Sequence, residues 1–115
     1  MPGALSHIRV LDLSRVLAGP WCTQNLADLG ADVIKVEPPG GDPFGRRGPF
    51  LGEISHPERS LRWLALNTSK RGITLALDAP RGRELLERLA TRADVVLETA
   101  APGVLEGLGL GWEAF

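Results

Sequence analysis

Apolar residues in this chain fall in short runs, some continuous and some spaced for a helix. Arg9-Val10-Leu11-Asp12-Leu13 is a brief apolar run with one internal carboxylate and reads as a buried strand. Ser14 to Gly19 forms a loop, and Pro20 suits the first turn of a helix. From Pro20 to Leu29 the residues Cys22, Leu26 and Leu29 share one helical face, and Gly30 supplies a left-handed stop. Asp32 to Glu37 is a second, β-branched strand, ended by Pro38-Pro39-Gly40-Gly41. Pro38 to Ser60 is rich in proline and glycine and has no period, and connections of that length usually serve function or mobility. Ser60 to Leu66 is apolar and stays open between helix and strand. Gly72 to Asp78 is a third strand. A helix then runs from Pro80 to about Thr91, capped by Asp78 or Ala79, with Leu85, Leu86 and Leu89 facing inward. Asp94 to Glu98 is a fourth strand, followed by a turn-rich segment around Pro102 to Leu110.

This alternation predicts an α/β fold: a Rossmann-like parallel sheet with flanking helices and right-handed crossovers. Ligands of such sheets lie beyond the carboxyl ends of the strands. Here those ends are Leu13 to Ala18, Glu37 to Gly41, Leu77 to Ala79 and Glu98 to Pro102. Gly111 to Phe115 reads as the first turn of a further helix, too short to hold itself. A four-stranded sheet stopped there leaves an open edge and a partly bare apolar face. Residues 1–115 therefore read as one unit, the front part of a larger protein that breaks off near Phe115, or one half of a split one.

Composition narrows the classes. With 43% hydrophobic and 23% charged residues, the 115-residue chain reads as one globular domain rather than a disordered segment. No apolar run approaches the roughly 20 residues that cross a bilayer, and Met1 to Leu5 lacks the order of a secretory leader. One cysteine, Cys22, forms no internal disulfide, which suits the reducing cytoplasm. A net charge of −1 removes the global electrostatic case for nucleic acid or a membrane surface. The charge is uneven, however. Arg46, Arg47, Arg59, Arg62, Lys70 and Arg71 face only Asp42, Glu53 and Glu58 in the middle of the chain. That segment reads either as a solvated loop or as a site for a small anionic ligand.

Familiar chemical signatures are missing. After the first strand the chain reads Ser14-Arg15-Val16-Leu17-Ala18-Gly19, with one glycine where a dinucleotide fold needs three, and no phosphate loop or nucleophile elbow occurs. His7 and His56 are isolated, and a single cysteine gives no zinc spacing. Asp12 reads as a satisfied structural carboxylate, Cys22 as a buried thiol, and Trp21, Trp63 and Trp112 as core residues. One feature carries a mechanism. The loop from Arg15 to Gly19 runs into a helix N-terminus, whose unpaired amides and dipole attract anionic or electron-rich groups.

Val10-Leu11-Asp12-Leu13-Ser14-Arg15-Val16-Leu17-Ala18-Gly19-Pro20, followed by Leu29-Gly30-Ala31-Asp32-Val33-Ile34-Lys35-Val36-Glu37-Pro38-Pro39-Gly40-Gly41-Asp42, resembles the N-terminus of class III (CaiB/BaiF) CoA-transferases. Leu66-Asn67, Ser69-Lys70-Arg71, Thr74-Leu75, Asp94-Val95-Val96, Pro102-Gly103-Val104-Leu105 and Leu108-Gly109 continue the resemblance in order over nearly the whole chain. It implies the incomplete N-terminal part of a larger fold of interlaced, dimeric subunits, with coenzyme A or an acyl-CoA as substrate and no tightly bound cofactor. It implies that CoA lies across the strand ends, with Leu17 and Ala18 at the thioester end. Leu75, Ala76, Leu77 and Asp78 would then face CoA, and Thr99, Ala100 and Ala101 would lie beside it. Lys70 and Arg71, with Arg46 and Arg47, are the candidates for its phosphates.

The expected activity of the complete protein is transfer of CoA between carboxylic acids. The nucleophilic aspartate of that reaction belongs beyond Phe115, so no catalytic residue is nominated in this chain. A racemase of the same family is the alternative, and a non-catalytic module that binds a partner chain through its sheet edge is another. The family's Glu-Asn-aromatic is Glu98-Thr99-Ala100 here, which removes an amide and a ring and lowers the expected affinity for CoA.

Overall fold

The computed structural model describes residues 3–115; Met1 and Pro2 lie outside the described residues. Four strands, β1 (Arg9–Asp12), β2 (Asp32–Glu37), β3 (Arg71–Thr74) and β4 (Val95–Leu97), stand in the order β3-β2-β1-β4. Every pairing is parallel, with Val10 opposite Val33 and Leu11 opposite both Ile34 and Val96. The α/β expectation holds. Among the described residues four helices flank the sheet: α1 (Ala18–Asp28), α2 (Leu61–Leu66), α3 (Pro80–Ala90) and α4 (Val104–Gly107).

Strand parity divides the core in two. Leu11, Ile34 and Val36 point to one face, where Leu86 of α3 and Leu110 after α4 cover them. Val10 and Val33 point to the other, where Ala27 of α1 and Ala31 pack on them. A sheet covered on both faces favours the continuous, β-branched runs seen in β1 and β2. On the α1 face parity also places Asp12 and Lys35, both buried. That face is thus apolar at its amino half and ionic toward its carboxyl half.

The helix boundaries show what decides burial here. α1 starts two residues before Pro20 and buries Gly19, Pro20, Thr23 and Ala27, not the Cys22, Leu26 and Leu29 face. Cys22 is exposed, Leu26 half-buried and Leu29 exposed. The helix starts so close to the segment that follows β1 that a Cβ on Gly19 would stand 2.2 Å from the Cβ of Ser14. Only small side chains fit beneath it, and the larger ones turn outward. Two tryptophans likewise depart from the expected core role: Trp21 is 58% exposed and Trp112 is 82% exposed, while Trp63 is half-buried.

The open Ser60–Leu66 segment is helix α2, capped by the Ser60 hydroxyl, which accepts from the Trp63 amide. The long connection before it carries two short 3₁₀ turns, Pro43–Arg46 and Leu51–Glu53, the first capped by the Asp42 carboxylate. The third strand is shorter than expected. After Leu75, whose amide donates to the Glu37 carbonyl, the chain turns so that the Ala79 amide donates to the Ala76 carbonyl. α3 begins with Ala79 as N-cap and Pro80 at its first turn, and it buries Leu86 with Leu85 and Leu89 half-buried.

Gly82 is where α3 meets that turn: a Cβ there would sit 1.9 Å from the Ala76 carbonyl oxygen. Gly82→Ala is therefore expected to cost about 1–3 kcal/mol in chemical denaturation. Gly107→Ala, in α4 with open space at the Cβ position, is expected to stabilise slightly or leave the midpoint unchanged.

Candidate functional site

The carboxyl end of β1 is built around one buried carboxylate. Asp12 accepts from the Ser14 amide at 2.9 Å, the Ser14 hydroxyl, the Thr23 hydroxyl at 2.6 Å and the Lys70 ammonium at 3.1 Å. Lys70 also donates to the Pro20 carbonyl at 3.0 Å and the Asn67 side-chain oxygen at 2.9 Å, so its three protons have three internal acceptors. Lys35 donates to the Ser14 carbonyl and pairs with Asp42 at 3.2 Å. The two ion pairs, both buried, tie β1, β2, the start of α1, the Asp42 turn and the approach to β3 into one body.

These contacts set the acidity of the cluster. Burial pushes the Asp12 carboxyl up, but the Ser14 and Thr23 hydrogen bonds and the Lys70 charge more than offset it and leave it below the usual carboxylate value. Burial lowers Lys70, against the opposing pull of Asp12. At the amino end of the sheet, Asp32 is raised by burial and lowered further by hydrogen bonds from Arg71 and Arg9, with a net downward shift.

Above this cluster the β1–α1 loop takes a constrained path. Val16, β-branched and exposed, has φ of 73°, in the left-handed region that such residues avoid. The Arg15 amide donates to the Thr99 hydroxyl at 3.1 Å, which joins this loop to the segment after β4. The Arg15 guanidinium reaches back, and one of its terminal nitrogens, Nη1, lies at 3.0–3.2 Å from the carbonyls of Leu13, Ser14 and Val36. The loop is held from below by Lys70 and Lys35 and from the side by Thr99.

The order β3-β2-β1-β4 places the topological switch between β1 and β4, where the connections depart to opposite faces. A crevice opens there along the strand ends. One compartment, about 230 Å³, is bounded by Leu13, Leu77, Thr99 and Ala100; the next, about 430 Å³, by Pro38, Leu75 and Asp78. Arg15 and Val36 line both.

The expected site residues divide accordingly. Leu75, Leu77, Asp78, Thr99 and Ala100 line this crevice, and Ala76 lies in the same turn as the first three. Ala100 and Ala101 also border an adjoining hollow of about 510 Å³ with Trp112 and Phe115. Leu17 and Ala18 are exposed at the start of α1, next to the crevice loop rather than in its wall. Lys70 is enclosed in the Asp12 cluster. Arg71 is at the amino end of β3, its guanidinium on Asp32 at 2.8 Å, across the sheet from the strand ends. Arg46 donates to the Gly40 carbonyl, and Arg47 lies 5.9 Å from the Phe44 ring centre. Residue types alone did not single out Arg15 as a lining cation. Its position in the loop three residues past the end of β1 was the available signal.

A doubly wound parallel sheet with a crevice at its switch point defines a class of ligand-binding α/β proteins, and the sequence places this chain within that class. Residues 5–115 match the family model for CoA-transferase family III, and the chain belongs to that family. It is 49% identical over 113 residues to the succinyl-CoA–D-citramalate CoA-transferase of Chloroflexus aurantiacus, covering 97% of this chain and 27% of that protein. It is 44% identical over 111 residues to the human succinyl-CoA:glutarate CoA-transferase, covering 95% of this chain and 24% of that one. A CaiB/BaiF family protein from Brucella suis superimposes with a TM-score of 0.89 at 44% identity, over 99% of this chain and 30% of its own. The chain thus spans about a quarter of the length of the curated relatives it matches. Among the described residues no helix is long and apolar enough to cross a membrane.

The Asp12 cluster yields a pH prediction. The folded-state acidity of Asp12 lies below its unfolded value, so its contribution is complete above the ordinary carboxylate range and is lost as pH falls through the folded value. Asp12→Asn leaves the Lys70 charge buried without its counter-ion and is expected to cost about 3–5 kcal/mol near neutrality. Urea denaturation from about pH 7 to pH 2 should show the gap between wild type and variant narrowing at the acid end. A gap independent of pH would contradict this account.

Proposed function

We propose that this chain is the CoA-holding, amino-terminal part of an acyl-CoA:carboxylate CoA-transferase that moves CoA between short dicarboxylic acids. The observation that carries the reading is the crevice at the β1–β4 switch point, in a chain that matches the family model from residue 5 to residue 115. The names of the relatives support transfer over racemisation: citramalate and glutarate are dicarboxylic acids, and both proteins are named CoA-transferases.

In this reading CoA lies across the strand ends. Leu75, Ala76, Leu77 and Asp78 form one wall, and Thr99, Ala100 and Ala101 form the other, with Leu17 and Ala18 toward the thioester. Lys70 serves from beneath: its three bonds hold the Pro20 carbonyl and Asp12, and thereby the loop that faces the ligand. Arg71 belongs to the opposite end of the sheet and is left out of the ligand contacts. The chain binds and orients the substrate, while the attacking carboxylate comes from polypeptide beyond these residues. The complete protein is a cytoplasmic dimer in this account, with the β4 edge continued by further polypeptide.

Calorimetry of this chain with CoA tests the reading. Saturable binding, weakened by the missing amide and ring at Thr99-Ala100, is expected in the micromolar to millimolar range. Ala100→Phe should strengthen it, because the ring returns to an exposed position on the crevice without touching the core. Absence of any heat at millimolar CoA with correctly folded protein would remove the proposal.

A further inference from the structure

Arg15 differs from every other cation of the site in how it is held. One terminal nitrogen of its guanidinium is fixed on three main-chain carbonyls, those of Leu13, Ser14 and Val36, at the carboxyl ends of β1 and β2. Among the described residues its Nε and its other terminal nitrogen have no hydrogen-bond acceptor, and Arg15 takes part in no ion pair. Carbonyls fix the plane of the fork without cancelling its charge. Lys35 and Lys70, by contrast, are neutralised by Asp42 and Asp12 in the interior.

Its position is as distinctive as its bonding. Arg15 is the one cation among the described residues that line the two crevice compartments, and it lines both. The carboxylates of Glu37, Asp78 and Glu98 also border the crevice, and Glu98 is engaged by the Ala100 amide. An anion drawn into this crevice therefore has a single fixed attractive point, at the junction of the compartments. The adjacent left-handed Val16 shows that the backbone at this point is held against its own preference, as the surrounding bonds require.

We infer that Arg15 is the oxyanion-holding residue of the crevice, its free guanidinium edge binding a phosphate or carboxylate group of the substrate where the two compartments join. This rests on the reading of the crevice as a CoA berth. CoA is elongated, with its diphosphate near the middle and its nucleoside and pantetheine arms to either side, so a cation at the junction of two compartments meets the diphosphate. A dicarboxylic acyl group offers the same chemistry through its distal carboxylate. A planar fork with two unoccupied donors matches either group in a bidentate manner.

The 115-residue chain is small enough for the test to be read by NMR on the protein itself. The Arg15 Nε–Hε signal, assigned by its loss in Arg15→Gln, is followed during titration with CoA, inorganic pyrophosphate and succinate. Pyrophosphate moving the signal along the same path as CoA, with succinate inert, assigns the diphosphate. Succinate moving it, with pyrophosphate inert, assigns the carboxylate. In parallel, Arg15→Gln should weaken CoA about ten- to hundredfold if the diphosphate is the ligand. In the carboxylate case it should instead erase the preference for succinyl-CoA over acetyl-CoA. A purely structural Arg15 predicts that Arg15→Gln alters the fold while no ligand moves the wild-type Nε signal, and that result overturns the inference. Wild type that binds CoA, with that signal unmoved and Arg15→Gln of equal affinity, overturns the Arg15 assignment alone. Wild type that binds none of these ligands overturns both this assignment and the berth.

Discussion

Everything at the carboxyl edge of the sheet depends on one buried carboxylate having enough partners. Asp12 sits at the end of a central strand, out of water, and it is tolerable there only because two hydroxyls, an amide and an ammonium converge on it. Each partner comes from a different part of the chain: Ser14 from the loop, Thr23 from α1, Lys70 from the approach to β3. Satisfying the charge therefore fixes the relative placement of three elements. The same arrangement leaves the loop with no slack, and the left-handed backbone at Val16 is the local result. The crevice is the outer surface of that constraint.

Much of this architecture was legible in the residues. The alternation of β-branched runs with proline-opened helices, the first closed by Gly30, carried the parallel α/β layer, and Asp12 in an apolar strand announced a carboxylate that needed internal partners. Face assignment on α1 was not legible from hydrophobicity. A helix packed closely on a sheet selects for size before polarity, so Gly19, Thr23 and Ala27, four residues apart, went beneath while Cys22 and Leu29 went out. The four-residue spacing of small side chains was the pattern to weigh. A chain that spans about a quarter of its relatives also keeps apolar groups at its surface, and Trp21 and Trp112 are read more naturally in that light than as misplaced core.

The candidate site was legible by region and less so by residue. Strand ends are positions in a sequence, so Leu75 to Asp78 and Thr99 to Ala101 followed once the strands were found. Cations were harder, because a positive side chain in the sequence does not declare its partner. Lys70 and Arg71 are neighbours, yet one is enclosed against Asp12 and the other reaches Asp32 at the far end of the sheet. Successive residues of an extended segment point to opposite sides, and that alone separates their roles.

The strand order has a consequence for how the chain acquires its shape. β1 is central, but its second neighbour, β4, lies some 85 residues downstream, where the Asp94 amide donates to the Arg9 carbonyl. During synthesis the first strand can pair with β2 early, while its other flank stays open until Val95–Leu97 has left the ribosome. A long wait of this kind slows closure of the sheet and exposes a sticky ribbon of Val10 and Leu11 to other nascent chains. The polar knot at Asp12 needs the distant Lys70 as well, so the β1–α1 loop is anchored only once residue 70 has joined β1 and α1.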